Sequence, residues 1–127
     1  MQTAHSHVVS DLDSLYALRH SRPRDMMSLR RFVQRFGYDT ARLETLSHVQ
    51  PGTARSNPFH LRLQLFMRSA LELVSARMAQ TEDLDVAIDW FKSAALADHE
   101  GHTPEEIVAS GSGACRTLLR ELRENAG

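Results

Sequence analysis

One stripe of apolar residues, recurring every three or four positions between Asn57 and Gln80, constrains the fold of this 127-residue chain more than any other feature. That interval places the residues on one side of an α-helix. Asn57-Pro58 is a strong helix start, because a capping residue is followed by proline at the first helical position. A helix over 57–80 would be about 35 Å long, which makes it the predicted central core helix. The stripe consists of Phe59, Leu63, Phe66, Met67, Ala70, Leu71, Val74 and Met78.

Two leucines, Leu61 and Leu65, fall on the opposite side of this predicted helix. Apolar residues one turn apart, away from the main stripe, need a second cover. Either the N-terminal helix or another copy of the protein could provide that cover. We therefore interpret Leu61 and Leu65 as a patch for dimer or partner contact.

The region 7–56 is predicted to be helical, after a tail at 1–6 that we expect to be disordered. Its first helical pattern runs from His7 to about His20, and Ser21-Arg22-Pro23-Arg24 interrupts it. The apolar residues of this pattern are Val8, Val9, Leu12, Leu15, Tyr16 and Leu18.

Two more helices are predicted before the central one. The first covers Asp25 to Phe36, with Gly37 as its C-terminal stop. The second begins at a cap, Asp39 or Thr40, and runs to about Val49. Both carry apolar residues at helical intervals, so both should contribute to the core.

A turn at Gln50-Pro51-Gly52-Thr53 leads into a short helical stretch, Ala54-Arg55-Ser56. Helix, turn and short helix in this order are typical of a helix-turn-helix. Asn57-Pro58 limits the would-be recognition helix to about one turn, so the motif is degenerate. The candidate DNA-binding residues are Arg30, Arg31, Arg35, Thr53 and Arg55.

Charge divides the chain into a basic and an acidic part. The stretch 19–68 holds ten arginines against three acidic residues, whereas 69–127 holds five basic and eleven acidic residues. Such a division suggests different partners for the two parts, with nucleic acid the first candidate for the basic one. The alternative is that each part is simply charged for solubility.

The segment 81–127 is predicted to form three helices. Leu84 to Leu96 carries Trp90-Phe91, and Thr103-Pro104-Glu105-Glu106 is a complete helix start with a capping box. Gly111 ends that short helix, and an amphipathic helix follows from Ala114 to about Glu124. The interpretation that we favour for its arginines is a solvated face on which they pair with neighbouring glutamates.

The C-terminal motifs resemble the toxin-binding domain of the Xre/MbcA/ParS antitoxin family, in which a Trp-containing helix precedes a Gly-[Lys/Arg]-Thr-Pro-x-Glu-Leu turn. Here His102 replaces the basic residue and Ile107 the leucine. The residues 36–55 are similar, more loosely, to the family's helix-turn-helix. The resemblance implies a toxin partner, and the family is commonly dimeric, which favours a homodimer. It implies partner binding by Trp90, Gly101, Thr103, Pro104, Glu106, Arg116, Arg120 and Arg123.

Patterns typical of catalysis are not recognisable in the sequence, so we expect no enzymatic activity, no metal and no cofactor. His99-x-x-His102 would be half of a metal site, but no Cys or His partner has suitable spacing. Cys115 lies on an apolar helical stripe and is interpreted as a core residue. A single cysteine and the lack of a long apolar run predict a cytoplasmic protein away from membranes.

These features predict an all-α fold, a compact multi-helix domain in which one long central helix joins a degenerate helix-turn-helix to a small C-terminal helical domain. Two functions agree with it. The protein could be an antitoxin that sequesters a toxin and represses its own operon through operator DNA. Alternatively, it could be an adaptor or anti-activator that inhibits a transcription factor by protein contact without binding DNA.

Overall fold

The computed structural model describes residues 26–126, and it confirms the all-α prediction. The expected tail at 1–6 and the expected helix from His7 to His20 lie outside these residues. Seven α-helices and one 3₁₀ helix make up the described part. They are α1 (Leu29–Phe36), α2 (Thr40–Leu46), α3 (Thr53–Ser56), α4 (Leu61–Thr81), α5 (Leu84–Ser93), the 3₁₀ helix (Ala97–His99), α6 (Pro104–Ser110) and α7 (Ser112–Ala126).

The central helix, α4, is the surface on which α2, α5, α6 and α7 pack. The predicted stripe is buried from Leu63 to Met78, and Leu73 is buried with it. Residues from α1 to α7 contribute to one hydrophobic cluster. The two halves predicted from the sequence therefore share a single core.

The start of α4 differs from the prediction, because Asn57 is already used by the preceding helix. The Asn57 N–H donates to the Thr53 carbonyl (2.7 Å) and so ends α3. A turn through Pro58 and Phe59 follows, and α4 begins only at Leu61. His60 caps it, since His60 Nδ1 accepts a hydrogen bond from the Arg62 N–H.

Two predicted helix ends in the N-terminal half are confirmed, whereas α1 begins later than predicted, at Leu29 after the Ser28 cap. Gly37 adopts a left-handed conformation (φ 72°) and closes α1, and the Asp39 side chain caps α2. The second helix ends earlier than predicted, at Leu46, because His48 has a positive φ of 60°.

None of the helices in 26–126 is long and apolar enough to cross a membrane.

An aromatic cluster joins α1 to the central helices. Phe32 stacks on Phe36, with ring centroids 4.2 Å apart, and Phe36 meets Phe91 of α5 edge to face. Tyr38 packs edge to face on Phe66 of α4. Lys92 then caps α1, since its Nζ donates to the Phe36 carbonyl (2.7 Å) and lies 4.9 Å from the Tyr38 ring centroid.

A buried carboxylate connects the N-terminal half to the C-terminal helices. Glu105, in the first turn of α6, is 5% exposed. Its Oε1 accepts from Arg42 Nη2 of α2 (2.8 Å), and its Oε2 accepts from the Tyr38 hydroxyl (2.5 Å). Because a buried carboxylate needs its donors, these bonds fix α6 against α2.

We expect Glu105→Ala to lower the free energy of unfolding by about 1–3 kcal/mol, mainly because the Tyr38 hydroxyl loses its acceptor. Arg42 is half exposed, so water can replace its lost partner. Urea unfolding followed by circular dichroism measures the change. The exposed Glu124→Ala is the matched control and should stay within about 0.5 kcal/mol of the wild type. Equal effects of the two variants would contradict the structural role of Glu105.

The hydroxyl of Tyr38 should make the free energy of unfolding depend on pH in the alkaline range. Burial, with smaller contributions from the bond to Glu105 and from its charge, raises the pKa of Tyr38 above the ordinary value of 10.0. The folded state therefore favours the neutral hydroxyl, so the contribution of Tyr38 to stability should be constant below pH 10 and fall as the pH rises above it.

Unfolding of wild-type protein and Tyr38→Phe between pH 7 and pH 11 measures this dependence. We expect Tyr38→Phe to be about 1 kcal/mol less stable at neutral pH and to show a smaller alkaline fall. The pKa of Cys115 is also raised by burial, and its contribution is common to both proteins. An identical alkaline fall in the two proteins would contradict the role of the Tyr38 hydroxyl.

Candidate partner-binding surface

The loop before α6 is closed by backbone pairing between its two ends. The Leu96 N–H donates to the His102 carbonyl (3.0 Å), and the Gly101 N–H donates to the Leu96 carbonyl (2.8 Å). Gly101 has a φ of 78°, a conformation that glycine adopts without steric cost. Gly101 thus has a defined part in shaping the loop.

The capping box predicted at Thr103 and Glu106 is present. Thr103 Oγ1 accepts from the Glu106 N–H (3.1 Å), and Glu106 Oε1 accepts from the Thr103 N–H (2.9 Å). The bond from the Thr103 backbone is the main cause that lowers the pKa of Glu106. Pro104 is fully buried at the first helical position. These three residues build the start of α6, and direct partner contact by them remains a prediction.

Trp90 lies half-buried on α5 and packs against the core. The Arg77 guanidinium of α4 lies over its ring, 5.3 Å from the centroid, so a cation covers part of the indole. Arg77 also donates from Nη1 to Gln80 Oε1 (2.6 Å). Trp90 therefore links α5 to α4, with only part of its surface open to a partner.

The face of α7 carries three exposed arginines, which we call the α7 strip: Arg116, Arg120 and Arg123. They line a shallow groove of about 330 Å³ together with Leu119 and Glu124.

The charge pairs along α7 that the sequence favours over partner contact are not formed within the described residues. Within residues 26–126, none of the three arginines makes a salt bridge. Glu121 instead binds His99 Nε2 of the 3₁₀ helix (2.8 Å). The strip consequently presents three cations whose carboxylate partners are not supplied by the described part of the chain.

The predicted basic strip on α1 is divided. Arg30 and Arg31 are exposed, whereas Arg35 Nη1 binds Asp85 Oδ1 of α5 at 2.8 Å. Arg35 therefore links α1 to α5, and it is less available to a nucleic-acid phosphate than Arg30 and Arg31.

The would-be recognition helix, α3, is four residues long, as the sequence predicts. Thr53 Oγ1 donates to the Gln50 carbonyl (2.6 Å), and Arg55 is exposed. The buried Glu44 places its Oε2 2.9 Å from the backbone nitrogens of Gly52 and Ala54, which donate to it. A carboxylate thus occupies the end of the helix that would approach DNA, and its charge opposes a phosphate there.

Leu61 and Leu65 are exposed on α4, as predicted, by 68% and 49% respectively. Phe59, in the turn before α4, is 39% exposed, so this predicted stripe residue lies at the surface and not in the core. Leu65 also borders a groove of about 450 Å³ between α2, α4 and the end of α6. Residues 26–126 leave these apolar side chains uncovered.

Several residues that organise the structure were not singled out from the sequence as candidates. Gln64, Lys92 and Glu105 each bind atoms far along the chain, and Glu44 binds the backbone nitrogens of the nearby Gly52 and Ala54. Lys92 is the only lysine in the sequence, and Gln64 is the only amide that interrupts the apolar stripe of α4. Those two features could have marked Lys92 and Gln64 as structurally important. The sequence around Glu44 and Glu105 contains no comparable feature.

The arrangement offers binding surfaces. Within the described residues, no group of three or more His, Cys, Asp and Glu side chains could hold a metal ion.

Comparisons of the chain with protein-family models, characterised proteins and solved structures found no significant match. The family resemblance drawn from the motifs remains a prediction.

Proposed function

We propose that the protein is a non-enzymatic regulatory binding protein of the antitoxin type, which sequesters a partner toxin through its C-terminal helices. The observation that carries the proposal is the α7 strip, because three neighbouring guanidinium groups lack carboxylate partners within 26–126. Arginine binds carboxylates and phosphates with two parallel hydrogen bonds, so the strip suits an acidic surface on the partner.

Packing and hydrogen bonds also fix the position of α7, the helix that carries the strip. Cys115, Leu118 and Leu122 anchor the opposite side of α7 in the core. Gln80 Nε2 donates to the Leu122 carbonyl near the C-terminal end of α7, and His99 holds Glu121. Binding by preorganised side chains costs less conformational entropy, so this support favours a docking role for the exposed face.

Capture of partners from the native cell tests the proposal. We expect full-length protein to retain a small toxin, and a variant with Arg116→Ala, Arg120→Ala and Arg123→Ala to bind it at least about tenfold more weakly. Raised salt should weaken the wild-type complex, because exposed charge pairs are screened. Arg30→Ala with Arg31→Ala is the matched control, since it also removes exposed helical arginines. Full toxin binding by the triple variant would contradict the proposal.

A second function, inhibition of a transcription factor without DNA contact, is favoured by α3. One helical turn whose N-terminal amides are bound by Glu44 is poorly suited to reading the major groove. In that case, the captured partner should be a transcription factor, and operator repression by this chain would not occur.

DNA binding by the full chain separates the two functions. On its own promoter fragment, the second function predicts no binding above that to unrelated DNA. If the antitoxin also represses its operon through α3, Arg55→Ala should weaken promoter binding and reduce the salt slope by about one. Promoter-specific binding lost in Arg55→Ala would therefore exclude the second function.

A further inference from the structure

Three apolar side chains at the start of α4 are exposed, and we call them the α4 patch: Phe59, Leu61 and Leu65. Leu61 and Leu65 are one helical turn apart, so their side chains lie on the same face. Water contact with such side chains is unfavourable by about 25 cal/mol per Å² of apolar surface. The patch therefore favours an apolar cover.

The described chain begins directly beside this patch. The Met27 N–H donates to Gln64 Oε1 (2.8 Å), and the Met27 carbonyl accepts from Gln64 Nε2 (3.0 Å). Gln64 Nε2 also donates to the Pro58 carbonyl (3.2 Å). These bonds fasten Met27 to the residue that precedes Leu65, in the same turn of α4.

The 25 residues before Met26 include the stretch 7–20, which lies outside the described residues. Val8, Leu12, Leu15 and Tyr16 follow one another at the intervals of a single helical face. Only the short stretch 21–25 separates this segment from the described chain. At about 3.3–3.6 Å per residue, five residues reach roughly 17 Å, more than three turns of α4.

We infer that the apolar face of residues 7–20 docks on the α4 patch of the same chain. A short tether gives the segment an effective concentration on the order of millimolar, far above that of a second copy at micromolar concentration. The inference selects the N-terminal segment over a homodimer as the cover for Leu61 and Leu65. It does not depend on the proposed function, because it concerns a different surface from the α7 strip.

Disulfide trapping in the full-length chain tests this docking. The native Cys115 is first replaced by alanine, so that only introduced thiols react. Leu65→Cys is then combined with Leu12→Cys or with Leu15→Cys, and each protein is oxidised at low concentration. We expect at least one pair to form an intramolecular disulfide, seen as a faster-migrating monomer on a non-reducing gel and as a loss of free thiol.

Ala79→Cys provides the matched control, because Ala79 is exposed on α4 about 21 Å further along the helix. Combined with the same N-terminal cysteines, it should not form the intramolecular disulfide. Thermal unfolding by circular dichroism, under reducing conditions, checks that each variant is folded.

Two results would overturn the inference. One is an intermolecular disulfide between Leu65→Cys chains, together with a wild-type dimer in sedimentation at micromolar concentration, since a second copy would then cover the patch. The other is trapping that is no faster for the Leu65→Cys pairs than for the Ala79→Cys controls in folded protein.

Discussion

Burial of α4 is the constraint on which the rest of the structure depends. Leu63, Met67, Ala70, Leu73 and Val74 are completely buried along this one helix. A helix in water is stabilised mainly by packing of its apolar face. The other helices supply that packing, so their positions are set by the side of α4 that each one covers.

Hydrophobic packing alone does not fix how the N-terminal half sits on the C-terminal helices. Polar hydrogen bonds add that specificity: Glu105 holds α2 to α6, Lys92 holds α1 to α5, and Gln64 holds Met27 to α4. If the helices shifted, the buried side chains of Glu105 and Gln64 would lose their partners. The candidate surfaces on α4 and α7 thus have defined places on one body.

Local signals in the sequence predicted local structure well. The capping box at Thr103, the glycine stop at Gly37 and the stripe of α4 from Leu63 to Met78 all depend on residues close together in sequence, and all three are confirmed. Phe59, the first residue of the predicted stripe, is exposed instead. The predicted helix start at Asn57-Pro58 was wrong because Asn57 closes α3. The sequence favoured salt bridges along α7, and that prediction was wrong because Glu121 binds His99, a residue of another element. Contacts between residues that are distant in sequence produce no periodic pattern, so they could not be predicted from the sequence.

Hydrogen–deuterium exchange of the full chain, alone and bound to its captured partner, tests the central claim most directly. The proposed docking through the α7 strip predicts slower exchange within 112–126 on binding and unchanged exchange at 53–56. Protection confined to 53–56, or to any surface other than that of α7, would contradict it.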